Sequence, residues 1–418
     1  MTVTAAAPAP DIEGDDNSVG SAVRAYVDRL RGGDVGSLPA VLGFIVLVIL
    51  FSVMRPDTFA SSRNAANLLV QAAPVIFIAM GLVFVLLLGE IDLGAGYLAG
   101  LSAAVMAKLM TNHGVAWPLA VVACIATGVV TGLAVGLLVA RLNIPSFVVT
   151  LASFLGLQGA LLLVIGEGGT ITINSSVIIA LMNNNLSPVL GWLLCAVIII
   201  GFAGSLLWTA TVRRRAGLPV AATAVLVAKV AALAVPLIVA TYLLNQERAV
   251  NPLIKSLKGI PIVVPFTLVF LLALTFLLSR TAFGRHVYAV GGNTEAARRA
   301  GINVPGIKIA CFVIRGVMAA TAGILFASYA NSVSPSTGGS STLLYAVGAA
   351  VIGGTSLFGG KGRVVDAILG GLVVAVIQNG LPLITQKSGI QYIVTGLVLL
   401  LAASVDAISR RRSAATGR

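Results

Sequence analysis

Residues 68–88 read LLVQAAPVIFIAMGLVFVLLL, a run of 21 residues in which Gln71 is the one strongly polar side chain. A helix of this length extends for about 30 Å, which matches the hydrocarbon thickness of a bilayer. A strand of a soluble sheet would alternate polar and apolar side chains, and this run does not. The stretch therefore predicts a membrane-spanning helix.

Similar apolar runs recur along the chain and are separated by polar or glycine- and proline-containing breaks. They predict an all-α fold, a polytopic transmembrane helix bundle of about 12 spans. The predicted spans are residues 39–54, 68–88, 94–111, 118–140, 145–165, 189–208, 220–244, 262–279, 309–330, 343–359, 364–385 and 390–408.

The composition supports the same class. Of the 418 residues, 58% are hydrophobic and only 10% are charged, with a mean hydropathy of +1.03. A soluble domain carries about 25% charged residues. The formal charge of +13 comes from short clusters between apolar runs, not from a basic stripe interleaved with aromatic residues, so nucleic-acid binding is not expected.

The basic residues also predict the orientation. With a cytoplasmic N-terminus, 18 of the 27 Lys and Arg residues fall in inside segments and seven in outside segments, while Lys229 and Arg315 lie within spans. Positively charged loops stay on the cytoplasmic side. Because 12 is even, the C-terminus also returns to the cytoplasm. We expect Lys229 and Arg315 to extend their charged ends toward the cytoplasmic surface.

Three regions are predicted. Residues 1–37 form a cytoplasmic tail that lacks a signal peptide; within it, 19–30 form an amphipathic helix, lying on the membrane or free in the cytosol. Residues 38–408 form the transmembrane domain, including a cytoplasmic loop at 280–308. Residues 409–418 form a basic cytoplasmic tail.

The loop 280–308 encodes a short, well-delimited helix. Asn293 or Thr294 can cap its first turn, and Gly301 suits a left-handed residue after its last turn. Glu295 lies near the positive end of the helix dipole and Arg298 near the negative end. Such a helix between two spans is either a docking element or a plain connector, and local physics leaves both open.

Four segments resemble the ribose/xylose branch of ABC permeases, in family order. They are Gly89-Glu90-Ile91-Asp92-Leu93-Gly94-Ala95-Gly96, Asn143-Ile144-Pro145-Ser146-Phe147-Val148-Val149-Thr150-Leu151, the stretch from Tyr288 through Asn293, Glu295, Ala296 and Ala297 to Ile302, and Val351-Ile352-Gly353-Gly354-Thr355-Ser356-Leu357-Phe358-Gly359-Gly360-Lys361-Gly362. The third segment is similar to the family's ATPase-docking loop. The extra length between residues 186 and 260 resembles the xylose-type permeases.

This resemblance implies an importer subunit in the bacterial inner membrane. Two permease copies, expected to be a homodimer, would pair with cytoplasmic ATPases and receive a monosaccharide, a xylose-like pentose being favoured, from an extracytoplasmic sugar-binding protein. The chain contains no Walker A pattern, so we expect the partner ATPase to bind ATP and Mg, and this chain to hold no cofactor and catalyse no reaction. Many sugar permeases have two carboxylates where residues 343–349 read Leu-Leu-Tyr-Ala-Val-Gly-Ala.

Polar residues in or beside the spans are the candidates for a substrate path. Neutral amides suit an uncharged sugar, and acidic residues at a glycine-rich break suit gating; the candidates are Gln71, Glu90, Asp92, Asn331, Gln378 and Asn379. Each amide can instead form an ordinary helix–helix hydrogen bond, and Asp92 can instead cap the helix that follows it.

Two other classes of membrane protein make different demands on the sequence. An ion-coupled secondary sugar transporter needs a carboxylate or a broken helix near the middle of the membrane, and the pair Glu90 and Asp92 is expected toward one face. A membrane enzyme needs a catalytic cluster at depth, and none is visible. Cys124, Cys195 and Cys311 lie apart in apolar runs, which favours packing over metal binding.

Overall fold

A computed structural model describes residues 36–218, 220, 222–249 and 256–415. The N-terminal helix predicted at 19–30 lies outside the described residues. The described chain forms an all-helical bundle with two very short strands. In chain order these are α1 Leu38–Met54, α2 Ser62–Leu87, α3 Ala95–His113, α4 Trp117–Arg141, α5 Ser146–Ile165, β1 Ile171–Thr172, α6 Ser176–Asn183, α7 Pro188–Arg215, α8 Thr223–Leu244, α9 Val263–Arg280, α10 Ala282–Gly292, α11 Thr294–Arg299, α12 Val304–Ala330, β2 Ser332–Val333, α13 Ser340–Gly353, α14 Val364–Ile384 and α15 Ser388–Ala415.

Eight of the described helices are long and apolar enough to cross a membrane: α2, α4, α5, α7, α8, α9, α12 and α14. The prediction of an all-α polytopic membrane protein is therefore confirmed, while the figure of 12 spans stays a prediction. Of the other four predicted spans, α1 and α13 are shorter, with 17 and 14 residues. The segment predicted at 343–359 ends as a helix at Gly353 because Gly354 turns left-handed, with φ of 117°.

The core of the bundle is built around α2 and α12. Every residue of α2 from Ala72 to Leu87 is buried, and α12 packs against α2, α3 and α4. Small residues bring α12 and α4 together, since a Cβ added at Gly128 would lie 2.3 Å from the carbonyl oxygen of Gly316. Such close backbone approach is how helices associate in lipid, where apolar side chains gain little by contact.

The two helices of the predicted insertion lie at the edge of the bundle. α7 packs mainly against α8, and α8 also contacts α2. Their apolar side chains point outward: Val197, Ile200 and Val235 are each at least 60% exposed. In a bilayer such a surface is in contact with lipid or with another protein.

The bundle has two distinct ends. The start of α1 and the end of α2 lie at one of them, which we call the junction end: Gly36 lies beside Gly354, and Gly360 donates to Leu87. At the opposite end, called the far end, Ile171 pairs with Val333 in an antiparallel two-stranded sheet. Neither this sheet nor helix α10 was predicted from the sequence.

Candidate functional site

The four segments of the family resemblance meet at the junction end. The backbone N–H of Gly360 donates to the carbonyl oxygen of Leu87 at 2.9 Å, and the Tyr288 hydroxyl donates to the carbonyl oxygen of Gly362 at 2.7 Å. Gly291 packs so closely that an added Cβ would lie 1.8 Å from the Leu87 oxygen. Segments far apart in sequence therefore form one rigid backbone contact.

The segment 143–151 joins the same contact from another side. The Ser146 hydroxyl accepts from the N–H of Ile91 at 3.1 Å, and the Thr150 hydroxyl donates to the carbonyl oxygen of Ile91 at 3.2 Å. Asn143 turns left-handed just before, with φ of 53°. The polar residues of this segment thus hold the chain that leaves α2.

The short helix α11 is capped as its sequence predicts. The Asn293 side chain accepts from the N–H of Ala296 at 2.9 Å, which makes Asn293 the cap, and the Thr294 hydroxyl instead donates to the carbonyl oxygen of Val290. Ala297 is buried. Gly301 ends the turn with φ of 81°.

The charges on α11 face outward. Glu295 pairs with Arg298 at 3.4 Å and with Arg299 at 3.3 Å, and all three side chains are more than half exposed. Exposed pairs of this kind contribute little to stability. They leave a charged helix surface free to contact a partner.

Helix α10, which was not predicted from the sequence, precedes α11. The Thr281 hydroxyl caps it by accepting from the N–H of Gly284 at 3.2 Å. Val287 and Val290 are buried, at a spacing of three residues. The threonine followed by apolar residues at helical spacing was the signal that could have predicted it.

Between α2 and α3 the chain forms an interrupted crossing. After Leu87 it turns at Gly89, with φ of 73°, and runs without helical structure to Gly94 before α3 begins. Asp92 is buried, and one of its carboxylate oxygens accepts from the N–H of Gly94 at 2.7 Å. Asp92 therefore holds the turn just before α3, whereas Gly94 is the N-cap of this helix and no side chain caps it, so the capping role considered for Asp92 is not observed.

The other carboxylate oxygen of Asp92 pairs with Arg315 of α12. Both residues are almost completely buried, at 2% and 1% exposure. Arg315 lies about 17 Å from the first residue of α12 and about 23 Å from the last, so the pair lies well inside the length of this helix, nearer its start. The expectation that Arg315 extends to the surface is wrong, because its contact with Asp92 holds both charges inside the bundle. The expectation that Asp92 lies toward one face stays a prediction.

Glu90 forms a second ion pair along the same helix. It contacts Lys308, and both side chains are about one fifth exposed or less. Lys308 and Arg315 are seven residues apart, so they lie on one face of α12, two turns apart. The segment 88–94 is thus fixed by two ion pairs to the helix that begins just after α11.

A second interrupted crossing precedes α13. Residues 334–339 form turns, and α13 begins at Ser340. This turn packs on the start of α3: a Cβ at Gly338 would lie 2.2 Å from the oxygen of Gly96, and a Cβ at Gly100 would lie 2.2 Å from the oxygen of Thr337. The second break therefore packs on the helix that follows the first break.

The amides proposed for the path form a different cluster, toward the far end. Asn64 donates to the side-chain oxygen of Asn379 at 2.7 Å, and Asn379 donates to that of Gln71 at 3.1 Å. These bonds join α2 to α14. Gln378 is half-buried beside them, whereas Asn331 is exposed at the left-handed end of α12, where it contacts Asn183.

A polar cavity of about 450 Å³ opens beside this cluster, and its lining includes Ser61, Asn64 and Glu247. The Glu247 carboxylate accepts from the N–H of Leu257, the hydroxyl of Ser256 and the N–H of Ala249. These bonds, that of Leu257 first, lower the pKa of Glu247 to about 2. The carboxylate thereby links the two described parts of the segment between α8 and α9.

Known proteins match most of the length of the chain. A family model described as "Branched-chain amino acid transport system / permease component" matches residues 64–403. The chain is 37% identical to the xylose transport system permease protein XylH of Escherichia coli over 89% of its own length and 92% of the relative. It is 36% identical to XylH of Haemophilus influenzae, over 89% and 96%.

The ribose import permease protein RbsC of Bacillus subtilis is 32% identical over 91% of this chain and 95% of the relative. No solved structure matches the chain. The resemblance to the ribose/xylose branch is confirmed by these relatives, and the match covers the junction, both interrupted crossings and the amide cluster. The chain belongs to the family of branched-chain amino acid transport system / permease components.

Proposed function

We propose that this chain is the transmembrane permease subunit of an ATP-binding cassette importer for a monosaccharide, with a xylose-like pentose favoured. The observation that carries the proposal is the junction, where the capped helix α11 stands exposed between two elements fixed to the core. The relatives named as xylose and ribose permeases support the same substrate class.

The junction is suited to receive a partner that moves. α11 is followed after a few residues by α12, and α12 carries the ion pairs Lys308–Glu90 and Arg315–Asp92. A displacement of α11 therefore acts directly on α12 and, through these pairs, on the interrupted crossing 88–94. The residues proposed to couple the chain to an ATPase are Asn293, Thr294, Glu295, Ala296, Ala297, Arg298 and Gly301, of which the buried Ala297 would hold α11 to the core.

The partners and orientation follow from this proposal. The junction end and both termini would face the cytoplasm of a bacterial cell, where the ATPases bind ATP and Mg. The far end would face an extracytoplasmic sugar-binding protein, and a second permease copy would complete the transporter as a homodimer. The amide cluster Asn64–Asn379–Gln71, with Gln378 and Asn331, would offer uncharged hydrogen-bonding groups to the sugar on its way inward.

Ion-coupled secondary transport is the alternative, and one observation favours it: Asp92 is a buried carboxylate at a broken helix, a feature that such coupling uses. However, one oxygen of Asp92 accepts from Gly94 and the other faces Arg315. A carboxylate neutralised by an arginine is poorly suited to take up and release a cation in each cycle.

Uptake into vesicles separates the two functions. The chain is reconstituted with its ATPase and binding protein, ATP is maintained on the ATPase side, and a protonophore and a sodium ionophore collapse the ion gradients. We expect pentose accumulation to continue under these conditions and to stop when ATP is omitted. Accumulation that stops with the ionophores while ATP persists would overturn the proposal in favour of the secondary transporter.

A further inference from the structure

The turn before α13 places an unusual sequence inside the membrane. Residues 334–342 read SPSTGGSST, in which every residue other than the proline and the two glycines carries a hydroxyl group. No charged residue occurs between Asn331 and Gly353. Chemically this is a neutral surface that both donates and accepts hydrogen bonds.

The contacts with α3 and α12 give the depth of this turn. A Cβ at Gly323 of α12 would lie 2.2 Å from the oxygen of Ala99, and Gly323 is about 10 Å from the last residue of α12. Asp92 contacts Arg315, and further along the chain Ala99 contacts Gly323. Residue numbers therefore increase in the same direction along both helices, so α3 runs parallel to α12. Gly96 therefore lies about 15 Å below the far end of α12, within the hydrocarbon depth.

The hydroxyls of this turn are not enclosed by the chain itself. Gly338 is buried against Gly96, but Ser336 and Ser341 are exposed, and Thr342 is half-buried. Within the turn Ser334 and Ser336 lie 2.9 Å apart through their hydroxyl oxygens. The outer side of the turn thus presents hydroxyl groups at mid-depth on the surface of this single chain.

Lipid cannot be in contact with such a surface. Non-helical backbone at membrane depth is tolerated only where it is buried in protein or lines a water-filled cavity, because each unsatisfied polar group costs several kcal/mol in hydrocarbon. Binding sites of transporters are commonly formed where broken helices meet near mid-depth. Here the second break packs on α3, the helix that follows the first break, and the first break is closed by Asp92 and Arg315.

We propose that the exposed side of residues 334–342 lines the aqueous route of the transported sugar and binds it, as a neutral polyhydroxylated ligand, through the hydroxyls of Ser336, Ser341 and Thr342. This inference rests on the proposed function for the identity of the ligand. It assigns the mid-depth contact to a segment that carries no charge and no amide, separate from the cluster around Asn379.

Cysteine labelling in the assembled importer tests the route. Ser336→Cys and Ser341→Cys are compared with Ile200→Cys, which lies on the exposed apolar face of α7. The native Cys124, Cys195 and Cys311 are buried, and the wild-type importer gives their background. Open membrane fragments are treated with a charged, water-soluble thiol reagent or a lipid-soluble maleimide, with and without xylose and ribose.

We expect the charged reagent to label the Ser336→Cys and Ser341→Cys variants but not the Ile200→Cys variant, and the transported pentose to slow this labelling several-fold. If the charged reagent fails at positions 336 and 341 while pentose uptake by the same variants persists, the turn is covered by protein and the inference is overturned. If both positions label but no sugar protects them or is accumulated, the proposed function fails while the aqueous route stands.

Discussion

The two interrupted crossings solve one problem in opposite ways. In the first, Asp92 accepts from the N–H of Gly94 just before α3 and pairs with Arg315, so the chain itself closes the break with buried charges. In the second, residues 334–339 keep only short turn bonds, and neutral hydroxyls remain on the outside. The difference indicates a division of roles, in which the closed break holds the helices together and the open break meets the substrate.

The closed break is charged and buried, whereas the open break is neutral and partly exposed. A buried ion pair resists movement of its two elements relative to each other, because separating the charges would leave each of them unpaired in a low-dielectric interior. Hydroxyls gain only a modest free energy from each hydrogen bond and exchange partners readily. The closed break is thus suited to transmit a displacement, and the open break to release a sugar.

Removing one partner of the closed break has the largest expected effect. Arg315→Met leaves the Asp92 carboxylate buried without its counter-charge, at a cost of about 3–5 kcal/mol. The double variant Asp92→Asn/Arg315→Met should recover much of this loss. Thermal stability of the purified protein, followed by size-exclusion chromatography after heating, measures both.

Lys308→Met is the matched control, because it removes the partner of a more exposed carboxylate, Glu90, on the same face of α12. We expect it to cost about 1 kcal/mol or less. If Arg315→Met destabilises the protein no more than Lys308→Met does, the closed break is not held by its ion pair.

The contact between the open break and α3 is expected to give the next largest effect. Gly338→Ala forces a side chain into the left-handed region, at φ of 69°, and toward the Gly96 oxygen. Overpacking of this kind costs about 1–3 kcal/mol, and pentose uptake should fall with it. Gly339→Ala is the neighbouring control, since φ there is −55° and an added Cβ meets nothing closer than 3.2 Å. Equal uptake and stability in both variants would show that the open break does not pack on α3 as described.

Titration of Glu247, at the far end, is expected to give the smallest effect. Its charge is held by N–H and O–H donors, without a basic side chain among these hydrogen bonds. Since its pKa is lowered to about 2, from an ordinary value of 4.5, the ionised form favours the closed loop. That contribution is complete above about pH 4.5 and is lost as the pH falls toward about 2. Hydrogen exchange at Ala249 and Leu257, corrected for the intrinsic rate, should therefore lose protection over this range.

Glu247→Gln is expected to remove the protection at every pH, because the amide has no charge to attract the donors. Protection in the wild-type protein that does not change between pH 5 and pH 2 would contradict the assigned role of the carboxylate.

The sequence predicts the parts of this molecule that depend on local chemistry. Apolar runs such as 68–88 identify the long helices, and Asn293, Glu295 and Gly301 mark both ends of α11 because capping involves residues within a few positions of each other. The resemblance also led to the correct family. For the candidate site, however, only the capped helix α11 could be predicted from neighbouring residues.

The interrupted crossings were missed for a physical reason. A stretch such as 343–359 is apolar enough to be predicted as a full span, yet its helix, α13, has only 14 residues and is preceded by the turns of residues 334–339, because hydropathy does not reveal where the chain is helical. The Asp92–Arg315 pair joins residues 223 positions apart, so only the packing of α3 on α12 brings them together. The glycine- and serine-rich stretch 334–342 was the available signal.

The helix α11 provides the most direct test of the account, because the junction transmits nothing unless an ATPase binds there. Gly301→Val strains a left-handed residue, at φ of 81°, just after α11, and Gly217→Val does the same after α7, at φ of 66°. An added Cβ meets no atom within 4 Å at either position, so the local strain is matched. Co-purification of the ATPase and stimulation of its ATP hydrolysis by the sugar-loaded binding protein are measured in reconstituted membranes. The account predicts that Gly301→Val loses stimulation while Gly217→Val retains it; normal assembly and stimulation in Gly301→Val would contradict it.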